Sequence, residues 1–194
     1  MIPGSARQPH AVQFYATEAT LFDTVSTFIG EGLRNGQPAI MIATPSHRAA
    51  IVERLCGALI DCDRAIRDGD LVLLDAQATL DLFMVDDEPH PALFQDNVGR
   101  LIEQLLNGRQ VVLRAYGEMV DVLWKEHRAD AAIKLELLWN QLAAKYRFSL
   151  LCGYSLGSFY KQPSALEAVR ACHSHVVAAP RAAVEFPSRA QKTA

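Results

Sequence analysis

Residues 38–44, Pro-Ala-Ile-Met-Ile-Ala-Thr, contain a nearly continuous apolar run with no polar alternation. A strand of that kind is buried on both faces, as inner strands of a helix-covered parallel sheet are. Leu71–Leu74 repeats the pattern, Ala11–Tyr15, Val111–Tyr116 and Phe148–Tyr154 are further strand candidates, and His173–Val177 is a sixth. The first segment between strands carries Leu21, Val25, Phe28, Ile29 and Leu33 at three- and four-residue spacing, the mark of an amphipathic helix. Recurrent strand–helix–strand units predict an α/β fold, with a mostly parallel central sheet flanked by helices on both faces.

Turn chemistry sets the expected boundaries. Asn35-Gly36 predicts the end of the first helix. Thr44-Pro-Ser46 predicts the start of the second, with Ser46 as N-cap and Ile51, Leu55, Leu59 and Ile60 as its buried stripe. After the turn Arg67-Asp-Gly-Asp70 and the strand 71–74, a short helix over Ala78–Met84 leads into a proline-marked loop, Val85–Pro91. A longer helix is predicted over Leu93–Leu106, and two helical pieces over Glu118–Tyr146, broken within Lys125–Asp130. Trp124 and Trp139 fall on their apolar stripes and are read as helix-packing residues. A loop, Ser155–Pro163, and a helix, Ser164–Cys172, precede the sixth strand. Segments 1–9 and 178–194 are expected to be flexible tails around one domain, residues 10–177.

The 194 residues are 50% hydrophobic and 21% charged with a net charge of −3, which suits one globular domain and gives no positive field for nucleic acid or anionic lipid. The four cysteines form no close-spaced pair and read as small apolar residues in a reducing compartment. Residues 1–10 lack the apolar core of a signal peptide, and no apolar run reaches the ~18–20 residues of a membrane span. A cytoplasmic protein without cofactor, bound to neither nucleic acid nor membrane, is expected.

Function in such folds gathers where strands end and helices begin. The stretch Arg114-Ala-Tyr-Gly-Glu-Met-Val-Asp-Val-Leu-Trp124 delivers Glu118 to such a junction. Glu118 either contacts a ligand or serves structurally, as a helix-start acid or an ion-pair partner of Arg114. The first junction, Phe14–Phe22, holds neither the glycines nor the lysine of a phosphate-binding loop, and Glu18 would repel phosphate. Tyr15, Thr17, Thr44, Asp75, Arg114, Glu118, Tyr154 and Ser155 are the candidate ligand-binding residues, with Thr17 read first as a helix cap and only second as a ligand contact.

Several stretches together resemble a known family: His10–Tyr15, Ile40–His47, Tyr116–Trp124, Leu135–Asn140, Phe148–Tyr154 and Cys172–Val176. Taken in order they are similar to the methanogen/methylotroph, DcmR-type sensory domain, MEDS, across about residues 10–177. The resemblance implies a degenerate RecA/KaiC-like ATPase framework, a three-layer sandwich lacking the phosphate loop. It also implies a non-catalytic signal-input module for small molecules such as hydrocarbon derivatives. Members occur attached to histidine kinases, receiver domains and DNA-binding regulators. Here the output is expected to pass through a separate partner, a kinase or regulator of a two-component or transcriptional pathway, with homodimerisation also open.

Other readings are kept beside this one. Gly153-Tyr-Ser-Leu-Gly157 matches a nucleophile elbow in letters, which would make a hydrolase of Ser155 with Glu167 and His173 or His175. Glu118 could serve a residual nucleotidase, and the helical faces a pure interaction scaffold. His173 and His175 beside Cys172 do not have zinc-ligand spacing, so no metal is expected unless the fold brings Cys152 and His10 to them.

Overall fold

The computed structural model describes residues 9–159 and 163–177. The expected tails, apart from Pro9, and part of the loop before the last helix lie outside those residues. The chain runs β1 (His10–Tyr15), α1 (Glu18–Arg34), β2 (Ala39–Ala43), α2 (Pro45–Gly57), α3 (Cys62–Arg67), β3 (Leu71–Asp75) and α4 (Ala76–Asp81). A two-residue hairpin, β4 (Met84–Val85) and β5 (Glu88–Pro89), follows. Next come α5 (Pro91–Phe94), a π-helical turn (Gln95–Gly99) and α6 (Arg100–Leu106). The remainder is β6 (Leu113–Gly117), α7 (Met119–Lys125), α8 (Ala129–Lys145), β7 (Phe148–Ser155), a 3₁₀ turn (Leu156–Phe159), α9 (Pro163–Ala171) and β8 (His175–Val176).

Six strands form one sheet in the order β3-β2-β6-β7-β1-β8, and every pairing is parallel. Side-chain alternation divides the core in two. Val12, Ile40, Ile42, Ala115, Leu150 and Cys152 face a layer containing α4, α6, α7, α8 and α9. Ala11, Tyr15, Met41, Tyr116 and Leu151 face the layer of α1, α2 and α3. The fold is therefore the expected three-layer α/β sandwich. All five residues of β2 are at most 1% exposed, as a strand covered on both sides requires. Ile40, Met41 and Ile42 each contribute about 1.5–3 kcal/mol relative to exposure.

Helix α1 begins where Thr17 accepts the N–H of Thr20, and its Leu21, Phe22, Val25 and Ile29 are buried. It lies low over β6 because residue 32 has no side chain: a Cβ there would stand 2.5 Å from Arg114 Cγ.

Local expectations were corrected at several places. Pro45 takes the first helical position of α2, so Thr44 is the N-cap residue and Ser46 lies inside the helix. Helix α2 ends at Gly57, not Ile60. The N–H of Ile60 returns to the Leu55 carbonyl, which leaves Leu59 at φ +62° and 94% exposed instead of on the buried stripe. The chain turns there because Asp61 caps the N–H of Arg64 and starts α3, a helix beyond those expected. Within Val85–Pro91, Asp86 and Asp87 both take positive φ, the requirement of a tight type I′-like hairpin turn. Trp124 and Trp139 are buried in helix packing as expected. No helix among the described residues is long and apolar enough to cross a membrane.

Candidate functional site

Neighbouring strands whose following helices leave on opposite faces open a crevice at their C-terminal ends. β2 leads to α2 on one face, whereas its neighbour β6 leads to α7 on the other. β1 and β7 form a second such pair, since α1 and α9 lie on opposite faces. The predicted residues Thr44 and Glu118 meet at the first crevice, and Tyr15 and Ser155 at the second.

Glu118 is 3% exposed and stands at the N-cap position of α7, where its side chain makes no capping bond. Its carboxylate instead fills the β2–β6 crevice. Oε1 accepts the backbone N–H of Thr44, while Oε2 accepts His47 Nδ1–H at 2.7 Å and the Tyr116 hydroxyl at 3.0 Å. The far nitrogen of His47, Nε2, faces the mostly exposed Glu18 at 3.4 Å, and Phe22 packs edge-on against its ring. Burial raises the Glu118 carboxyl, but the bonds from His47 and Thr44 outweigh it and leave it below its ordinary value. Glu118, ahead of the opposing effect of burial, raises the His47 imidazole. The result is an ion pair in which each carboxylate oxygen has a donor.

At the second crevice Asp121, 3% exposed, ties the strands together. Its Oδ2 accepts the Tyr15 hydroxyl at 3.0 Å and pairs with Lys125 at 2.7 Å, while Oδ1 accepts the Ser155 N–H at 3.0 Å. Burial, then the charge of Asp121, raises the Tyr15 hydroxyl. Sequence reading had missed His47 and Asp121. The signal available for Asp121 was an acid within the apolar stripe of α7.

The other candidates go elsewhere. Thr17 is the helix cap described above, and Thr44 contributes its main chain. Asp75 caps α4 through the N–H of Ala78 and pairs loosely with Arg48 at 3.7 Å. Arg114 does not pair with Glu118: its Nε donates to Gln37 at 2.8 Å and its guanidinium lies 4.9 Å over the Phe28 ring, towards the opposite end of β6. Tyr154 points to the other face of the sheet, where its ring packs edge-on to Trp124 and its hydroxyl donates to Glu136 at 2.8 Å. The hydrolase grouping is dispersed as well. Glu167 pairs with Arg170, His173 faces Glu136, and His175 lies on exposed β8 beside Ser174.

Glu136 is a third residue that sequence reading missed. It is fully buried on α8 and gathers His10 from β1, Cys152 and Tyr154 from β7, and His173 from the turn after α9. His10 Nε2 lies 3.2 Å from Oε2, and His173 Nε2 lies 3.4 Å from Oε1. Burial raises this carboxyl, and the His173 and His10 rings outweigh it to hold it well below the usual range. The fold thus does bring Cys152 and His10 to His173, while His175 stays apart.

A cavity of about 790 Å³ opens on the α1 face at the other end of the strands. Thr24, Phe28 and Glu31 of α1 form one wall, while Arg114 and Leu151 contribute from the sheet and Val177 from the chain beyond β8. Arg114 is the one predicted ligand-binding residue among those lining it.

No curated protein matches the chain. The family model for MEDS, the methanogen/methylotroph, DcmR sensory domain, matches residues 9–174. That span contains both crevices, the Glu136 cluster and nearly all of the cavity wall, and the chain belongs to the MEDS family of sensory domains.

Proposed function

We propose that this chain is a non-catalytic sensory module whose small-molecule ligand occupies the 790 Å³ cavity beside Arg114. The carrying observation is the contrast in space. The crevices that hold ligands in related architectures are filled here by Glu118, His47 and Asp121, whereas the cavity lies open and has the size of a small-molecule site. The wall is mainly apolar, with one guanidinium set against the carboxylates of Asp23 and Glu31, which favours a compact, uncharged hydrocarbon derivative carrying a carbonyl. The apolar part lies along Phe28 and Leu151, and the acceptor faces the outer N–H groups of Arg114.

Helix α1 supplies one wall of the cavity and, at its N-terminal end, Glu18 against His47. A ligand that shifts α1 therefore changes the surroundings of the His47–Glu118 pair, which lies between α2 and α7. Partner kinases or regulators read that rearrangement, and the ligand acts only through its differential affinity for the two arrangements.

Thermal-shift and calorimetric screens of short-chain acids, ketones, alcohols and halogenated hydrocarbons test the reading. At least one class stabilises the wild type, Ala11→Phe fills the cavity and abolishes the shift, and Arg114→Gln weakens carbonyl compounds selectively. Undiminished binding to Ala11→Phe places the ligand elsewhere.

A further inference from the structure

The Glu136 cluster contains an imbalance that protons alone resolve badly. The Asn140 amide donates through Nδ2 to the Cys172 carbonyl at 2.9 Å, which turns its Oδ1 towards His10 Nδ1 at 3.2 Å. His10 Nδ1 must therefore be the donor. The Val169 carbonyl, 2.7 Å from His173 Nδ1, imposes the same on that ring. Both Nε2 atoms then face inward, where the polar groups they meet among the described residues are the Glu136 carboxylate, the Cys152 sulfur and the Tyr154 hydroxyl.

With neutral rings, two lone pairs meet a carboxylate at 3.2 and 3.4 Å. With both rings protonated, two positive charges surround one negative charge where the side chains of Glu136 and His173 are completely buried. With one proton, one lone pair still faces the carboxylate. His173 Nε2 in fact makes no hydrogen bond among the described residues. The Glu118 site shows no such conflict.

We propose that His10 Nε2, His173 Nε2, Cys152 Sγ and a Glu136 oxygen are the four ligands of a zinc-class divalent metal ion. The four donor atoms lie within 4.8 Å of one another, and bonds of about 2.0–2.3 Å arranged tetrahedrally require separations of about 3.3–3.8 Å. His10 Nε2, Cys152 Sγ and Glu136 Oε2 already stand 3.2 to 3.5 Å apart, and His173 Nε2, 3.4 Å from the other carboxylate oxygen, has to close in on them. One divalent cation with a thiolate, a carboxylate and two neutral imidazoles sums to zero charge, which suits a site removed from water. Mixed nitrogen, sulfur and oxygen donors favour zinc over magnesium or calcium. Asn140 and the Val169 carbonyl already fix the tautomers as second-layer partners of metal-bound histidines do. A 220 Å³ cavity lined by His10, Asn140, Cys172 and His173 gives access from outside.

The site closes on itself, with no vacant coordination position, so its role is to fasten. His173 is carried by the turn between α9 and β8, whereas the other three ligands belong to β1, α8 and β7. Metal occupancy then governs how firmly α9 and β8 are held to the sheet. This assignment does not depend on the ligand reading above, because the two sites lie on opposite faces of the sheet.

The test uses the whole chain, reduced and stripped with chelator, then titrated with Co²⁺ as a chromophoric stand-in and with Zn²⁺. The expected result is one Co²⁺ per chain, with tetrahedral ligand-field bands and a sulfur-to-cobalt charge-transfer band, all displaced by Zn²⁺. Cys152→Ser loses the sulfur band, and His173→Gln weakens Zn²⁺ at least roughly tenfold, while His175→Ala changes neither. Hydrogen exchange in α9 and β8 slows on metal addition. The wild-type titration is decisive even if a variant does not fold: folded protein that takes up less than about a tenth of an equivalent, or binds Co²⁺ without the sulfur band, overturns the assignment. So does loss of binding in His175→Ala equal to that in His173→Gln.

Discussion

The two faces of the sheet carry clusters built from the same residue types, yet their hydrogen-bond arithmetic differs. On the α1 face, Glu118 has an imidazole, a tyrosine hydroxyl and a main-chain N–H, three donors shared over its two oxygens. On the α8 face, Glu136 has a tyrosine hydroxyl, a thiol and two imidazoles whose other nitrogens are already committed as donors. The first group is complete as a structural clamp. The second has acceptors to spare. Residue composition alone does not separate a brace from a ligand site; the count of protons against lone pairs does.

Substitutions can break this contrast. The largest effect is expected from Glu136→Ala in metal-free protein, which strips a fully buried carboxylate from two imidazoles and the Tyr154 hydroxyl. About 3–5 kcal/mol of unfolding free energy should be lost, measured by urea denaturation. A loss below 1 kcal/mol would mean the cluster is held by packing alone.

Glu118→Gln keeps shape but removes the charge that His47, Tyr116 and Thr44 bond to, and about 1.5–3 kcal/mol is expected to go. Zn²⁺ affinity should not move. If it does, the two clusters are coupled through the sheet. Tyr15→Phe removes one of several partners of Asp121, and a loss of only about 0.5–1.5 kcal/mol is expected, because the Ser155 N–H and Lys125 remain.

The smallest effect lies in the pH profile. His47 is raised above its ordinary 6.5, so the stability it brings is complete below 6.5 and disappears as pH climbs through the raised value. Glu118 is lowered from 4.5, so its contribution is complete above 4.5 and disappears as pH falls through the lowered value. The pair is therefore at full strength between 4.5 and 6.5. Denaturation curves should show wild-type stability declining on the alkaline side more steeply than that of His47→Gln. Parallel profiles would show that the His47–Glu118 pair does not titrate with folding.

The sheet was readable from sequence because burial on both faces leaves apolar runs that no other common element needs, as in Ala39–Ala43. Glu118 was readable because an acid directly after a strand stands out. Glu136 was not, since it lies in mid-helix between Leu135 and Leu137 and resembles ordinary surface charge. Its signal was positional: it shares the buried stripe of Ala132, Leu135 and Trp139, where an acid is expensive unless paired. His47 was hidden for another reason. Its partner follows directly on a strand that is adjacent in the sheet, but lies 71 positions away in the chain. The misplaced end of α2 shows the local limit, because Leu59 fits the helical period and only the cap at Asp61 moves it outward.

Gly153 lies between Cys152 and Tyr154, which both belong to the Glu136 group, and a Cβ there would come 3.1 Å from the Tyr116 hydroxyl and 3.0 Å from Leu21. At this residue a single strand of the sheet separates the two polar groups. A methyl group added there would lever the tyrosine away from Glu118 while twisting the strand that presents the thiol. Gly153 is thus where damage to one group is transmitted to the other.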